Sequence, residues 1–408
     1  MSIESGVVDN GADTPKPTAK SPIRSPPVLP HWIEALVIYA VSRAVSTALL
    51  ALMFTLASIN HWRFPSVRGS SDFFSFSTIW DALQYGRIAA NGYPSTLPVD
   101  SLGTVLPNEW AFLPVFPIIA RGVMTVTALP FPVVGVLVAT LAGAAAAVVL
   151  QTLISTVANP TQARWTTLFF CFGPLGFLLQ VSYAESLFLA LTFAALLAIV
   201  KQGYGLFTLL AVLAAFTRPG ALALALALGI HFFVRWFSRE TFPASERVKV
   251  VLAGMAVSAA GLAWPFIADA VTAHPGAYVE TELAWWKPLV TVDAFRPFSP
   301  WFVMGGSYLG IAGVILVCAA AVIFTRWMMQ PSVRQLGPDL HGFLAGYGLY
   351  VFAVFLPQQS ILRIVMPMTP LLASATFTKT PRRRLAVLIT GFSLQPVAIL
   401  GLWFVGFP

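Results

Sequence analysis

Long apolar stretches are the feature of this sequence that most constrains its fold. Runs of roughly 18 or more apolar residues recur along the 408-residue chain, and each is long enough to cross a bilayer as an α-helix. Only 10% of the residues are charged, whereas typical soluble domains carry about 25%. The chain therefore lacks the polar residues that a water-facing surface needs, and a soluble fold is excluded. The sequence predicts an all-α polytopic membrane protein.

Polar and apolar segments divide the chain into a tail and a membrane domain. Residues 1–30 are polar and rich in Pro, Ser and Thr, which is typical of a disordered tail. No small-residue cleavage site follows the first apolar run, so we expect an uncleaved first span. Residues 31–408 should form the membrane domain, with spans at 33–58, 131–157, 165–181, 183–200, 206–217, 222–237, 248–271, 301–324, 340–355, 361–377 and 385–405.

Lysine and arginine in short loops predict the orientation of these spans. With the amino terminus in the cytoplasm, 15 of the 24 basic residues fall on the cytoplasmic side and eight on or near the outer face. The apolar run 111–129 contains Pro114, Pro117 and Arg121, so we expect an interfacial or re-entrant helix there. The count is then about eleven spans with the carboxyl terminus outside. Residues 60–130, with juxtamembrane helices, and residues 272–300 form the two long outer segments.

The acidic residues indicate that a functional site lies on the outer side. Nine of the 16 fall outside or just within the membrane there: Asp72, Asp81, Asp100, Glu109, Glu185, Asp269, Glu280, Glu282 and Asp293. The five histidines lack ligand spacing, and Cys171 and Cys318 lie within apolar runs, so we expect neither a metal site nor a cofactor. The basic residues lie mostly at helix ends, and nucleic acid is not expected as a partner.

Residues 80–94 carry the most specific local pattern. Helical spacing places Asp81 and Tyr85 on one face of a predicted interfacial helix. An acid near the start of such a helix is suited to act as a general base at the membrane surface. In the alternative interpretation, Asp81 caps the helix while Trp80 and Tyr85 belong to an interfacial aromatic belt. The residues alone leave both interpretations open.

Five short motifs follow one another along the chain. They are Trp80-Asp81 with Gly92-Tyr93-Pro94, residues 112–117 with Arg121, residues 182–188, residues 217–220, and Arg363 with Pro367 and Pro370. This ordered set resembles the phosphatidylinositol-glycan class V family of mannosyltransferases, which belong to the GT-C superfamily and use polyprenyl-phosphate-mannose. The chain departs from the family pattern at Ala82, Gln84, Pro219 and Ile364, and these departures bear on the acceptor more than on the reaction class.

The resemblance implies a GT-C-type helical bundle and an inverting sugar transfer on the outer face of the cell membrane. Mannose would pass from polyprenyl-phosphate-mannose to a glycolipid, lipoglycan or protein acceptor, with Asp81 as the general base. Arg218 and Arg363 are the first candidates to stabilise the leaving phosphate, and Lys287 and Arg121 are the second. The candidate substrate-binding residues are Trp80, Tyr85, Glu109, Tyr183, Glu185, Trp285 and Trp286.

Several of these roles have structural alternatives. Glu185 lies just inside an apolar run, where a carboxylate is costly unless it is paired or functional, and it could instead form a structural pair with Arg218. Trp285 and Trp286 could stack on a sugar ring or anchor the chain at the interface. At the level of the whole protein, the alternatives are a transporter or flippase of a lipid-linked sugar and a non-catalytic membrane scaffold. Internal repeats, which many transporters show, are not evident in the sequence.

The charge bias generates a prediction about orientation. In a background without Cys171 and Cys318, a cysteine at Asp100 should react with an impermeant thiol reagent added to intact cells. A cysteine at Arg383 should react only after the cells are permeabilised, because its loop is expected in the cytoplasm. The opposite labelling pattern would contradict both the topology and the outward-facing site.

Overall fold

The computed structural model describes residues 30–239, 241–290, 292 and 294–406, and the predicted tail of residues 1–30 lies outside this range except for Pro30. Helices dominate the described part of the chain. In chain order they are α1 (His31–Ile59), α2 (Pro65–Arg68), α3 (Phe73–Phe76), α4 (Asp81–Asn91), α5 (Val115–Thr127), α6 (Phe131–Val157), α7 (Pro160–Phe172), α8 (Glu185–Val200), α9 (Tyr204–Ala215), α10 (Leu222–Phe237), α11 (Ala244–Thr272), α12 (Ala277–Trp286), α13 (Pro300–Met328), α14 (Pro331–Arg334), α15 (Pro338–Val354), α16 (Ile361–Ile364), α17 (Ala375–Thr378) and α18 (Pro381–Ile399).

Five helical segments are long and apolar enough to cross a membrane, namely α1, α6, α11, α13 and α18 with its π-helical extension Leu400–Val405. Shorter apolar helices, α5, α8, α9 and α10, accompany them. The expectation of an all-α membrane protein is therefore confirmed. Helix α13 is interrupted at Gly310, whose backbone (φ +58°, ψ −138°) is not helical. Among the described residues there is no β-strand, and the only β-type pairing is an isolated antiparallel bridge between Val99 and Val105.

Two other predicted spans are divided at prolines. The span expected at 165–181 ends as α7 at Phe172 and resumes as the 3₁₀ helix Gly176–Gln180. Pro174 lies in this break, and proline both lacks an N–H donor and disfavours helical backbone in the preceding residue. The span expected at 361–377 is likewise divided into α16, the 3₁₀ helix Met366–Ala373 and α17. Here Pro367 and Pro370 prevent a regular α-helix.

A buried arginine of α1 stabilises the first of these breaks. Arg43 donates hydrogen bonds to the carbonyl oxygens of Gly176 (2.6 Å) and Cys171 (3.1 Å), on either side of the break. Its guanidinium also lies 5.0 Å from the centre of the Tyr39 ring. Carbonyl groups that a broken helix leaves free are costly in an apolar environment, so the arginine satisfies groups that the helix itself cannot.

Polar contacts define one end of the bundle. Glu34, near the start of α1, forms an ion pair with Arg164 of α7, and Gln162 donates to the carbonyl oxygen of Ala373 (2.8 Å). His231, near the end of α10, bonds Asp339 at the start of α15 (2.8 Å). The loops that the charge pattern assigns to one side thus meet at this end. We call it the basic end, because it carries Arg164, Arg235 and Arg384.

The opposite end of the bundle is built by the two long segments expected from the sequence. Helices α2 to α5 lie between α1 and α6, and α12 lies between α11 and α13. Helix α5 has 13 residues and is about 20 Å long, which is short of the roughly 30 Å hydrocarbon core of a bilayer. The N–H of Val115 at its start bonds the carbonyl oxygen of Phe216 after α9 (3.0 Å), so these segments pack directly on the bundle.

Candidate functional site

A cavity of about 480 Å³ opens between these segments, and we call this end of the bundle the cavity end. Its walls come from the start of α4, the loop before α5, the turn between α9 and α10, helix α12 and the segment 355–364. The lining is mainly apolar and aromatic, with few polar groups. Such a composition is typical of ligand sites, where a small number of polar side chains orient the ligand.

Asp81 is the first residue of α4, and its side chain projects into this cavity. No side-chain hydrogen bond caps the start of α4, and the carboxylate oxygen Oδ2 of Asp81 forms an ion pair with Arg363 instead. The other oxygen, Oδ1, has no hydrogen-bond partner among the residues that the structure describes. The backbone N–H of Asp81 donates to the hydroxyl of Tyr183 (3.4 Å). The capping interpretation therefore does not account for this carboxylate.

The residue before Asp81 has an unusual backbone conformation. Trp80 has φ +56° and ψ −123°, a combination that non-glycine residues rarely adopt and that costs of order 1–3 kcal/mol. The indole nitrogen of Trp80 donates to the carbonyl oxygen of Trp403 (3.1 Å). The indole nitrogen of Trp403 in turn donates to the carbonyl oxygen of Phe76 (3.0 Å). These bonds hold the turn that aims Asp81 at the cavity, and strain of this kind is common at functional sites.

Four charged side chains from distant parts of the chain form one group beside the cavity, and three of them, Asp81, Arg218 and Arg363, line it. Oxygen Oε1 of Glu185 accepts hydrogen bonds from Nη1 of both Arg218 (2.6 Å) and Arg363 (2.8 Å). Through Nη2, Arg363 also reaches Asp81. The side chain of Glu185 is 3% exposed and that of Arg363 is 9% exposed. Two cations and two carboxylates thus form a connected, electrically balanced group.

The two arginines differ in their capacity to bind a further ligand. Both terminal nitrogens of Arg363 are already bound to carboxylates. Its guanidinium group lies over the ring of Tyr183, with 5.2 Å between the guanidinium carbon and the ring centre. Arg218 bonds Glu185 through Nη1, and its remaining N–H groups have no partner among the described residues. Arg218 is also the more accessible, with 13% of its side chain exposed. An incoming anion would therefore meet Arg218 first.

The structure places most of the aromatic candidates in the same wall. Trp80, Tyr85, Trp285 and Trp286 line the cavity, and Tyr183 lies behind Asp81 and Arg363. Tyr85 is almost fully buried. Its ring packs edge-on against those of two phenylalanines, Phe112 (5.3 Å between centres) and Phe116 (5.2 Å).

Tyr183 and Glu185 lie behind the cavity wall, and three further candidates from the sequence are also not brought into it. Arg121 is exposed on α5 and donates to the carbonyl oxygen of Ala90 (2.9 Å). Glu109 faces Arg87 at 3.8 Å, and Lys287 is exposed just after α12. None of the three is among the residues that line the cavity.

Glu282 and Gln358 also line the cavity, and the sequence analysis assigned neither of them a role at the site. Glu282 is on α12, and burial raises the pKa of its carboxyl to about 7, although the hydroxyl of Tyr278 and the charge of Arg218 oppose this rise. A signal was present in the sequence, because Glu282 precedes Trp285 and Trp286 by three and four residues and so shares their helix face. Gln358 carried no such signal.

Comparison with known proteins adds no assignment. No protein-family model matches this chain, and no curated protein has a sequence that matches it. Within the described residues, no group of three or more His, Cys, Asp or Glu side chains has an arrangement that could hold a metal ion. The case for a function therefore depends on the cavity and on the group of four charged residues beside it.

The shared carboxylate generates a prediction about stability. Replacing Glu185 with Ala should lower the free energy of unfolding by about 3–5 kcal/mol, because Arg218 and Arg363 would lose their common buried partner. Denaturant unfolding of the purified protein in detergent micelles measures this change. The control is Glu280→Ala, which removes a solvent-exposed pair with His274 and should cost at most about 1 kcal/mol. Equal losses in the two variants would contradict a special role for Glu185.

Proposed function

We propose that this protein is an inverting glycosyltransferase that moves mannose from polyprenyl-phosphate-mannose to a glycolipid or other membrane-associated acceptor. The observation that supports this proposal best is that Asp81, Arg218 and Arg363 line one cavity and are joined through ion pairs in which Glu185, behind the wall, is the shared partner of the two arginines. A reaction of this type needs a base for the acceptor hydroxyl and cations for the leaving phosphate. Both kinds of group are within the cavity, and these four residues belong to the motifs that carry the family resemblance.

Asp81 is assigned the role of general base. The acceptor hydroxyl attacks the anomeric carbon of the sugar, and the bond between that carbon and the phosphate oxygen breaks with inversion of configuration. The hydroxyl proton passes to Oδ1 of Asp81, the oxygen that no described residue occupies. Arg363 holds the other oxygen and so fixes the orientation of the carboxylate. A carboxylate positioned by a buried cation is a suitable acceptor of this proton.

Arg218 is assigned to the leaving group. The polyprenyl phosphate departs as an anion, and a guanidinium can donate to two phosphate oxygens at once through its planar fork. The N–H groups that Arg218 does not use for Glu185 are available for this purpose. Glu185 in turn holds Arg218 and Arg363 at a fixed separation, so that phosphate and base are positioned by the same carboxylate.

The finer topology belongs to the proposal as well. We place the basic end in the cytoplasm and the cavity on the outer face of the cell membrane, with about eleven crossings. This placement is supported by the positive-inside rule, because loops rich in lysine and arginine gather at the basic end. It is also supported by the cavity itself, which lies between the two segments expected outside, residues 60–130 and residues 272–300.

The assignment of Asp81 predicts the behaviour of Asp81→Asn. The rate of sugar transfer should fall roughly 100- to 10,000-fold, because an amide cannot accept the proton, while affinity for the donor should change little. The measurement is transfer of radiolabelled mannose from a short-chain polyprenyl-phosphate-mannose to membrane lipids by purified protein, with donor binding measured in parallel.

A matched control is Asp72→Asn in the same segment. Asp72 is exposed and accepts a hydrogen bond from the backbone N–H of Ser75 (2.8 Å) at the start of α3, and asparagine caps helices about as well as aspartate. This variant should transfer mannose at the normal rate. Asp81→Asn protein that binds the donor and transfers mannose as fast as the wild type would remove Asp81 from the mechanism.

The assignment of the phosphate contact predicts an order among arginine variants. Arg218→Gln should weaken donor binding roughly 10- to 100-fold, the loss expected for hydrogen bonds to a charged group. Arg218→Lys should be intermediate, because lysine keeps the charge and loses the fork. Arg363→Gln should mainly lower the transfer rate, because Arg363 orients Asp81 and its terminal nitrogens are bound to carboxylates. Arg121→Gln, outside the cavity wall, is the control and should bind normally. Unchanged affinity in both Arg218 variants would contradict the assignment.

A further inference from the structure

Glu282 is a carboxyl group in the cavity wall that the proposed mechanism does not use. It lies on α12, one turn after Tyr278 and one turn before Trp285 and Trp286, so these side chains share a face of the helix. Both tryptophans line the cavity together with Glu282. Among the described residues, Glu282 forms no ion pair within 4 Å, although it is close enough to Arg218 and Asp81 for their charges to affect its titration.

The charged and titratable groups around Glu282 come from several elements. Tyr278 of the same helix donates a hydrogen bond to it, and Tyr350 of α15, Arg218 of the α9–α10 turn and Asp81 of α4 face it. Burial raises the pKa of this carboxyl to about 7. A large fraction of the molecules therefore carries a proton on Glu282 at neutral pH. In that form the side chain is uncharged, and it can both donate and accept a hydrogen bond.

Besides the Nε of Arg363, two polar atoms in cavity-lining residues lack hydrogen-bond partners among the described residues. The indole nitrogen of Trp285 and the amide oxygen of Gln358 are buried and have no hydrogen-bond partner among the described residues. A buried polar group without a partner is unfavourable. One is a donor and the other an acceptor, and neither is charged. Together with Glu282 they form a set suited to neutral hydroxyl groups rather than to an anion.

We infer that Glu282, with Trp285 and Gln358, binds hydroxyl groups of the sugar that the donor carries. This inference rests on the proposed function and assigns a second part of the same cavity. Different residues of the cavity bind the two parts of the donor. The free N–H groups of Arg218 suit the phosphate, and Glu282 and its aromatic neighbours suit the sugar ring. A site that hydrogen-bonds a substrate hydroxyl discriminates strongly against a ligand that lacks it, since the buried polar groups are then left unpaired.

The test compares two lipids that differ only in the sugar, farnesyl-phosphate-mannose and farnesyl phosphate. Their binding to the full-length protein in lipid nanodiscs is measured by isothermal titration calorimetry. Glu282→Leu should bind the mannosylated lipid about tenfold more weakly than the wild type does, the loss expected for one or two hydrogen bonds. Its affinity for farnesyl phosphate should be unchanged. Glu282→Gln, which keeps a donor and an acceptor, should bind both lipids within about threefold of the wild type.

The control variant is Glu280→Leu, which changes an exposed carboxylate of the same helix that bonds His274 (3.0 Å). It should bind both lipids as the wild type does. If Glu282→Leu binds both lipids normally, or loses both equally, the inference is wrong even where the wild type transfers mannose. If the wild type binds neither lipid and transfers no mannose, the proposed function fails instead, and the inference fails with it.

Discussion

One carboxylate oxygen organises the cavity end of this protein. Glu185 Oε1 accepts hydrogen bonds from Arg218 and Arg363, and Arg363 continues the connection to Asp81. These residues belong to α8, to the turn after α9, to α16 and to α4, which are far apart in the chain. An unpaired charge at such a buried position would be very unfavourable, so each of the four elements is held where its charge is neutralised. The geometry of the cavity depends on this constraint.

The balance of charge within the group has a chemical consequence. Two arginines and two carboxylates cancel, so the empty cavity carries no net charge from them. A phosphate ligand adds negative charge that the group does not already neutralise. Arg218 has terminal N–H groups to spare for it, whereas both terminal nitrogens of Arg363 are bound to carboxylates. The same arrangement leaves one oxygen of Asp81 free. Binding of an anion and acceptance of a proton thus fall to different members of one network, which limits direct competition between them.

The sequence predicted the helical membrane architecture because apolar length is directly visible in it. It did not predict the breaks at Pro174, Pro367 and Pro370, because hydropathy reports how apolar a segment is and says nothing of its backbone hydrogen bonds. The motifs drew attention to Asp81 and Arg363, but their direct contact joins residues 282 positions apart, which no local spacing encodes. The position of Arg121 outside the cavity was equally invisible, since packing of α5 on its neighbours decides it.

Arg43 has a consequence for how the chain assembles in a bilayer. The carbonyl groups of Cys171 and Gly176 that it satisfies belong to a segment interrupted in mid-course. Lipid offers no donor for such groups, so the segment cannot remain in the hydrocarbon region on its own without an energetic cost of several kcal/mol. Helix α1 is synthesised before α7, so the required donor is present when the broken segment is made. The side chain that pairs these carbonyl groups is therefore made before they are, so the early helix can stabilise the later segment during assembly.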